Sequence, residues 1–265
     1  MIALAGVLVA LLAQAPSTAA PSPSLTREEM ATFLQTAKIV RFKPISKGIT
    51  SPWRLTLTDG RVTHDAAFQS VDEHKASQEF ASGGRELNFV DSWRYNVAAF
   101  RLAELVGLGE MMPVTVERRW RGNQGALSWW IDTLMEEGDR LKKKIEAPDS
   151  EKWNQQMFRL RVFAQLVDDT DRNLGNVLIT PDWQVRMIDF TRAFRLVPTI
   201  KEQDITRCDR RLLASLEGLT LDRVVQAAGK YLNAAEAKAV MARRDAIVAH
   251  VRRLVAQNGE AAVLY

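Results

Sequence analysis

The sequence is poor in several residues that often fix a protein's chemistry. It has a single cysteine, Cys208, which excludes an internal disulfide and any multi-cysteine zinc cluster and is expected as a small buried apolar residue. Its histidines, His64, His74 and His250, are scattered, and none is assigned a ligand role. No long block of one charge exists: 36 basic and 32 acidic residues are interspersed, for a formal net charge of +4. That favours anionic ligands only weakly and does not imply nucleic-acid binding. Nor does any apolar run reach the roughly 20 residues of a membrane-spanning helix, so no stable span is expected. No residue before Arg27 is charged.

That uncharged beginning contains an apolar stretch, residues 2–13, followed by small residues and Pro16, Pro21 and Pro23. Residues 1–20 read as a signal peptide, although without a basic residue at the start, and residues 21–37 as a linker and first helix. The mature chain is then expected outside the cytoplasm, periplasmic or extracellular; without a signal it would be cytoplasmic. With 265 residues, 46% of them hydrophobic, the rest can bury one large core or two adjoining ones.

Thr26 and Glu29 form a capping-box pattern opening a helix to about Ala37. Alternation from Trp53, the pair Asp59-Gly60, and alternation from Val62 to Gln69 predict a β-hairpin. A helix is expected over Trp93 to Val106, capped near Gly107, followed by two short strands, residues 114–119 and 126–131, around a turn at 121–125. After the polar residues 136–150 the chain reads mainly helical. Strands, one helix, strands and a helical half make a two-lobed α+β pattern, with an upper lobe at 38–135 and a lower lobe at 136–265.

Within the lower half, a helix ending near Val167 delivers Asp168-Asp-Thr-Asp-Arg-Asn-Leu-Gly-Asn176 into a loop. Two short strands around Pro181-Asp182 then lead to Asp189-Phe190. Polar side chains held at the ends of a helix and two strands suit phosphoryl transfer. One carboxylate orients the attacking hydroxyl and takes its proton, while an amide oxygen and a second carboxylate hold Mg²⁺ against phosphates. Asp and Asn are also simple turn formers; the paired motifs, rather than either alone, favour the functional reading.

Asp171-Arg-Asn-Leu-Gly-Asn176 followed by Met187-Ile-Asp-Phe190 resembles the catalytic loop and metal-binding motif of kinase-like phosphotransferases, including the spacing. The flavour is that of phosphatidylinositol 3- and 4-kinases, HipA-type bacterial kinases and Golgi casein kinases of the secretory pathway. The resemblance implies a protein-kinase-like fold, with a small β-rich upper lobe carrying one key helix, and ATP and Mg²⁺ as ligands. Asp171 would be the catalytic base, Arg172 a support of its loop, and Asn176 and Asp189 the metal ligands. The acceptor, a protein or a small molecule, is not specified.

The upper lobe departs from that family. Gln69 stands at the position of the phosphate-binding strand lysine, and Asn96 at that of its helix glutamate partner. Replacing both charges by amides keeps a hydrogen bond without leaving one buried charge alone. Lys47, Arg54 and Lys75 are the nearby cations, each by default a solvated surface charge. A Gly-x-Gly-x-x-Gly loop is absent; Gly48, with Thr50 and Ser51 as donors, is the candidate phosphate cover. Trp129, Trp130 and Ile131 would line an adenine pocket, though aromatics at such spacing are more often core. The expected activity is Mg²⁺/ATP-dependent phosphotransfer. An exported pseudokinase that binds nucleotide or a partner, and an enzyme transferring AMP, are the alternatives.

Overall fold

The computed structural model describes residues 25–45, 52–79 and 83–265. Gly48, Thr50, Lys47 and Ser51 lie outside the described residues. The chain opens with α1 (Arg27–Thr36), started by the expected capping box: Thr26 Oγ1 accepts from Glu29 N at 3.2 Å, and Thr26 N donates to Glu29 Oε2 at 2.8 Å. Five antiparallel strands follow in the order β1-β2-β3-β7-β6, formed by β1 (Lys38–Pro44), β2 (Trp53–Thr58), β3 (Thr63–Gln69), β6 (Thr115–Trp120) and β7 (Asn123–Trp129). Between them run the ribbon β4 (Asp72–Glu79) and β5 (Arg85–Ser92) and the helix α2 (Trp93–Leu105).

Period-two alternation divides the sheet into two faces. Leu55, Leu57, Ala66, Phe68 and Leu127 turn to one face and pack with Phe33, Leu34 and Ala37 of α1. Helix α1 is therefore part of the upper-lobe core rather than only a preface to it. The register then places Arg54, Ala67, Gln69 and Ser128 on the opposite face, toward α2 and the lower lobe. Gly125 is needed where β7 passes β3: a Cβ there would lie 2.4 Å from Gln69 O and 2.6 Å from the Phe68 ring.

The lower lobe contains β8 (Met135–Glu136), α3 (Glu137–Lys142), α4 (Ser150–Val167), β9 (Val177–Ile179), β10 (Val185–Met187), α5 (Arg210–Glu217), α6 (Leu221–Ala228), α7 (Ala234–Asn258) and α8 (Glu260–Val263). Its core takes in α2, through Trp93, Tyr95, Val97 and Leu102, together with Leu160, Phe163 and Leu166 of α4 and Val240, Ile247 and Val251 of α7. Buried Gln156 ties α4 to the β9–β10 hairpin, donating to Trp183 O at 3.1 Å and accepting from Val185 N at 2.8 Å.

The first expected hairpin, the helix at 93–106 and the hairpin around Pro181 are present. The second strand pair is tighter than expected: β7 begins at Asn123, so only Arg121 and Gly122 turn, both with positive φ, at 50° and 82°. The polar stretch 136–150 includes the helix α3. Strand β1 and the β4–β5 ribbon were not expected.

Candidate active site

Helix α4 ends because Asp168 takes a left-handed conformation, φ 46°, which drops the chain into the loop that follows. The next residue, Asp169, turns its carboxylate inward to full burial and holds Arg172, whose Nε donates to Asp169 Oδ2 at 2.6 Å. Asp169 also accepts from Asp171 N at 3.2 Å. Burial pushes the Asp169 carboxyl above its ordinary pKa, against the pull of the Arg172 charge.

From that anchor Arg172 reaches three main-chain oxygens: Asn176 O at 2.8 Å, Ile188 O at 2.7 Å and Asp189 O at 3.3 Å. Its guanidinium also lies 4.2 Å from the centre of the Phe190 ring. One side chain thereby fastens the loop at 171–176 to the motif at 187–190. Ile188 N donates to Asn176 O at 3.1 Å, extending the β9–β10 ladder and setting Asn176 beside the chain that carries Asp189. Asn176 Nδ2 donates to Asp171 O at 3.2 Å, leaving Asn176 Oδ1 without a partner among the described residues. The Asp171 carboxylate is on an exposed residue and likewise has no hydrogen-bond partner among them.

The two amides at the kinase lysine and glutamate positions meet. Asn96, buried at 5% exposure, donates from Nδ2 to Gln69 Oε1 at 2.7 Å, and its Oδ1 accepts from Phe190 N at 2.7 Å. Gln69 Nε2 donates in turn to Asp189 Oδ1 at 3.3 Å, and Thr191 Oγ1 donates to the same oxygen at 3.3 Å. A relay of neutral amides thus runs from α2 through β3 to Asp189, whose other oxygen is left without a protein partner among the described residues. Asp189 itself has φ 57°, so it is held in an uncommon conformation by these contacts. Nearby, burial raises the Asp91 carboxyl above its ordinary pKa.

The free oxygens, Asn176 Oδ1 and Asp189 Oδ2, are hard donors of the kind Mg²⁺ takes alongside phosphate and water, so the residues fit that ion. Among the described residues no group of three or more His, Cys, Asp or Glu could hold a metal ion. Of the nearby cations, Lys75 is paired with Glu73 at 2.6 Å on the exposed ribbon, and Arg54 donates from Nε to Asp65 at 2.6 Å. Neither reaches Gln69 or Asp189. Trp129 packs inward, edge-on to Phe33 and stacked on His64, whereas Trp130 lies on the Gln69 face, 4.1 Å from the Arg54 guanidinium carbon.

A cavity of about 1310 Å³ adjoins the other side of the loop, lined by Thr170, Arg172, Asn173 and Leu174 together with α4, β5 and residues 194–201. Gln69, Asn96 and Asp189 do not line it. Sequence reasoning missed Asp169, although it is adjacent to the motif. Only the fold shows that it faces inward while Asp171, two residues on, faces out.

These two lobes, with the loop and motif at their junction, define a kinase-like fold. No family model and no curated protein sequence matches the chain. Solved structures do: hydra Fam20 with sugar, at a TM-score of 0.63 and 13% identity over 90% of this chain and 91% of that one. The Golgi casein kinase with Mn/ADP bound has a TM-score of 0.64 and 11% identity, over 90% and 78% of the two chains. The Helicobacter pylori proinflammatory kinase CtkA has 0.50 and 12%, over 85% and 98%. At these identities the likeness establishes a common fold.

Proposed function

We propose that the chain is a Mg²⁺- and ATP-dependent phosphotransferase that acts on a hydroxyl group of a protein or small molecule, outside the cytoplasm. The observation that carries the reading is the Arg172 clamp, which holds the Asp171–Asn176 loop and the Asp189 motif as one unit. The Golgi casein kinase neighbour, with Mn/ADP bound, supports a divalent metal and a nucleotide as ligands.

In this reading Asp171, with its carboxylate free, orients the acceptor hydroxyl and takes its proton as the oxygen bonds to the γ-phosphorus. The bond from that phosphorus to the β–γ bridging oxygen breaks, and ADP leaves. A magnesium ion held by Asn176 and Asp189 would neutralise charge on the phosphates. Gln69, itself held by Asn96, keeps one oxygen of Asp189 occupied, so that the other would be available to the ion.

The same amides favour a second reading, because they supply no cation to the phosphates. Such a site could bind nucleotide without turnover, as a pseudokinase, or hold it in another orientation and transfer AMP. Asp189→Ala should abolish metal-dependent ATP binding with the fold intact, while Asp171→Asn should spare binding and abolish transfer of label from ATP. Equal ATP affinity in wild type and Asp189→Ala contradicts the metal assignment. Label from α- but not γ-labelled ATP entering product establishes AMP transfer instead.

A further inference from the structure

The five-stranded sheet curls until its two outer strands meet at one end. There Phe42 of β1 stands against Trp120 of β6, ring centres 5.5 Å apart, although three strands lie between β1 and β6. Trp53 of β2 completes the group, 6.1 Å from Phe42 and 5.4 Å from Trp120, and Trp120 reaches inward to the buried Phe68 at 5.4 Å. The register sets Phe42 across from Leu55, so these rings belong to the α1 face of the sheet, opposite the face that carries Gln69. They run from the upper-lobe core to the surface, where Phe42 keeps 47% of its area exposed and Val40, on the same edge strand, 48%.

The charge around this end has one sign. No Asp or Glu occurs from Met30 to Thr58 or from Arg118 to Ile131. Arg41 and Lys43 flank Phe42 in the chain, and Arg119 and Arg121 flank Trp120; all four are exposed, and no carboxylate among the described residues pairs with them. The Arg121 guanidinium carbon lies 3.9 Å from the centre of the Phe42 ring and 4.9 Å from that of Trp120, so the rings themselves hold one cation at the rim.

We propose that this end of the upper lobe docks on an anionic lipid surface, with Phe42 entering the headgroup layer and Arg41, Lys43, Arg119 and Arg121 meeting the lipid phosphates. Aromatic rings beside long-stemmed cations match a layer that is apolar on one side and charged on the other. A stable protein partner would call for more: such interfaces bury about 1,200–2,000 Å² in total. Here the large apolar side chains that stand exposed are Val40 and Phe42, on one strand. No helix among the described residues is long and apolar enough to cross a membrane, and docking on its surface requires none. The inference is independent of the phosphotransferase reading, since it concerns the other face of the sheet.

The test is sedimentation with phosphatidylcholine vesicles, with and without phosphatidylglycerol. It uses the chain beginning at residue 21, which contains every described residue and leaves out the apolar residues 2–13, so that these add no lipid affinity of their own. The variants are Phe42→Ser and the double change Arg41→Glu with Lys43→Glu. The docking surface predicts binding only where phosphatidylglycerol is present, weakened by salt, and about tenfold lower affinity in each variant. Melting temperatures identify a variant that does not fold, and the exposed charge pair serves if Phe42→Ser fails. A wild-type chain that ignores anionic vesicles, or a charge variant that binds them as the wild type does, overturns the proposal. Unchanged vesicle binding by Phe42→Ser, with soluble polyglutamate displacing both proteins, overturns the lipid assignment in favour of an acidic protein partner. The effect of ATP and Mg²⁺ on melting should be the same in both variants as in the wild type, which separates failure of this surface from failure of the nucleotide site.

Discussion

At Asp169 a fully buried carboxylate is answered by one guanidinium, that of Arg172. Two positions later, on an exposed residue, the Asp171 carboxylate has no hydrogen-bond partner among the described residues. The first arrangement holds structure and the second leaves a group available for chemistry, so the two acids should respond differently to substitution. Arg172→Met strips the partner from a buried charge and also frees three main-chain oxygens, and should lower unfolding free energy by about 3–5 kcal/mol in urea titrations. Asp171→Asn should change it by no more than about 0.5 kcal/mol. A comparable loss in both would contradict the division of labour between them.

Among elements, the crossing of β3 and β7 governs where Gln69 sits. Because a Cβ at Gly125 would meet Gln69 O and the Phe68 ring, Gly125→Ala should destabilise the fold by about 1–3 kcal/mol, read from the shift in denaturation midpoint. It should also weaken nucleotide binding by displacing Gln69 from Asp189, whereas an unchanged midpoint would mean that the strands separate freely.

Elements with regular alternation or clear punctuation were legible before the fold was known. The Asp59-Gly60 hairpin, the Thr26–Glu29 box and the Pro181-Asp182 hairpin are examples, as is the meeting of Gln69 and Asn96 that the paired substitution implied. Strand β1 was not, since its bulge between Ile39 and Arg41 breaks the alternation and most of its residues are exposed. Nor was the β4–β5 ribbon, which is polar along most of its length and has little buried face to create a pattern. What fastens it is tertiary: Glu86 pairs with Arg192 and Arg195, and Ser92 N donates to Thr191 O. Such long-range partners leave no trace in local sequence. The same holds for Arg54, whose indole and carboxylate partners are brought together only by strand register.

Taken as a molecule, the protein joins its lobes by more than the crossing from β7 to β8. Helix α2 is packed into the lower-lobe core, and Tyr95 on it donates to Glu236 of α7 at 2.6 Å. On β6, Glu117 takes Lys230 at 2.6 Å and the Tyr231 hydroxyl at 2.5 Å, both from the turn after α6. Burial pushes Glu117 up, but Lys230, Tyr231 and Gln124 together hold it below the ordinary glutamate range. A carboxylate lowered in the folded state contributes fully above its unfolded value of about 4.3, and the contribution is lost as pH falls through the lower folded value. The melting temperature should therefore fall on acidification below about pH 5, and Glu117→Gln should flatten that limb by lowering the neutral-pH value. An acid limb of equal slope in both proteins would show that this contact between lobes contributes no pH-dependent stability.

The central claim is that the junction of these lobes binds a nucleotide through a metal held by Asn176 and Asp189. Thermal unfolding of the chain beginning at residue 21, titrated with ATP in the presence and absence of Mg²⁺, addresses it most directly, because a ligand of the folded state must raise its melting temperature. The account predicts a rise with ATP that requires Mg²⁺ and vanishes in Asp189→Ala. The same melting temperature at millimolar ATP with and without Mg²⁺ would contradict it.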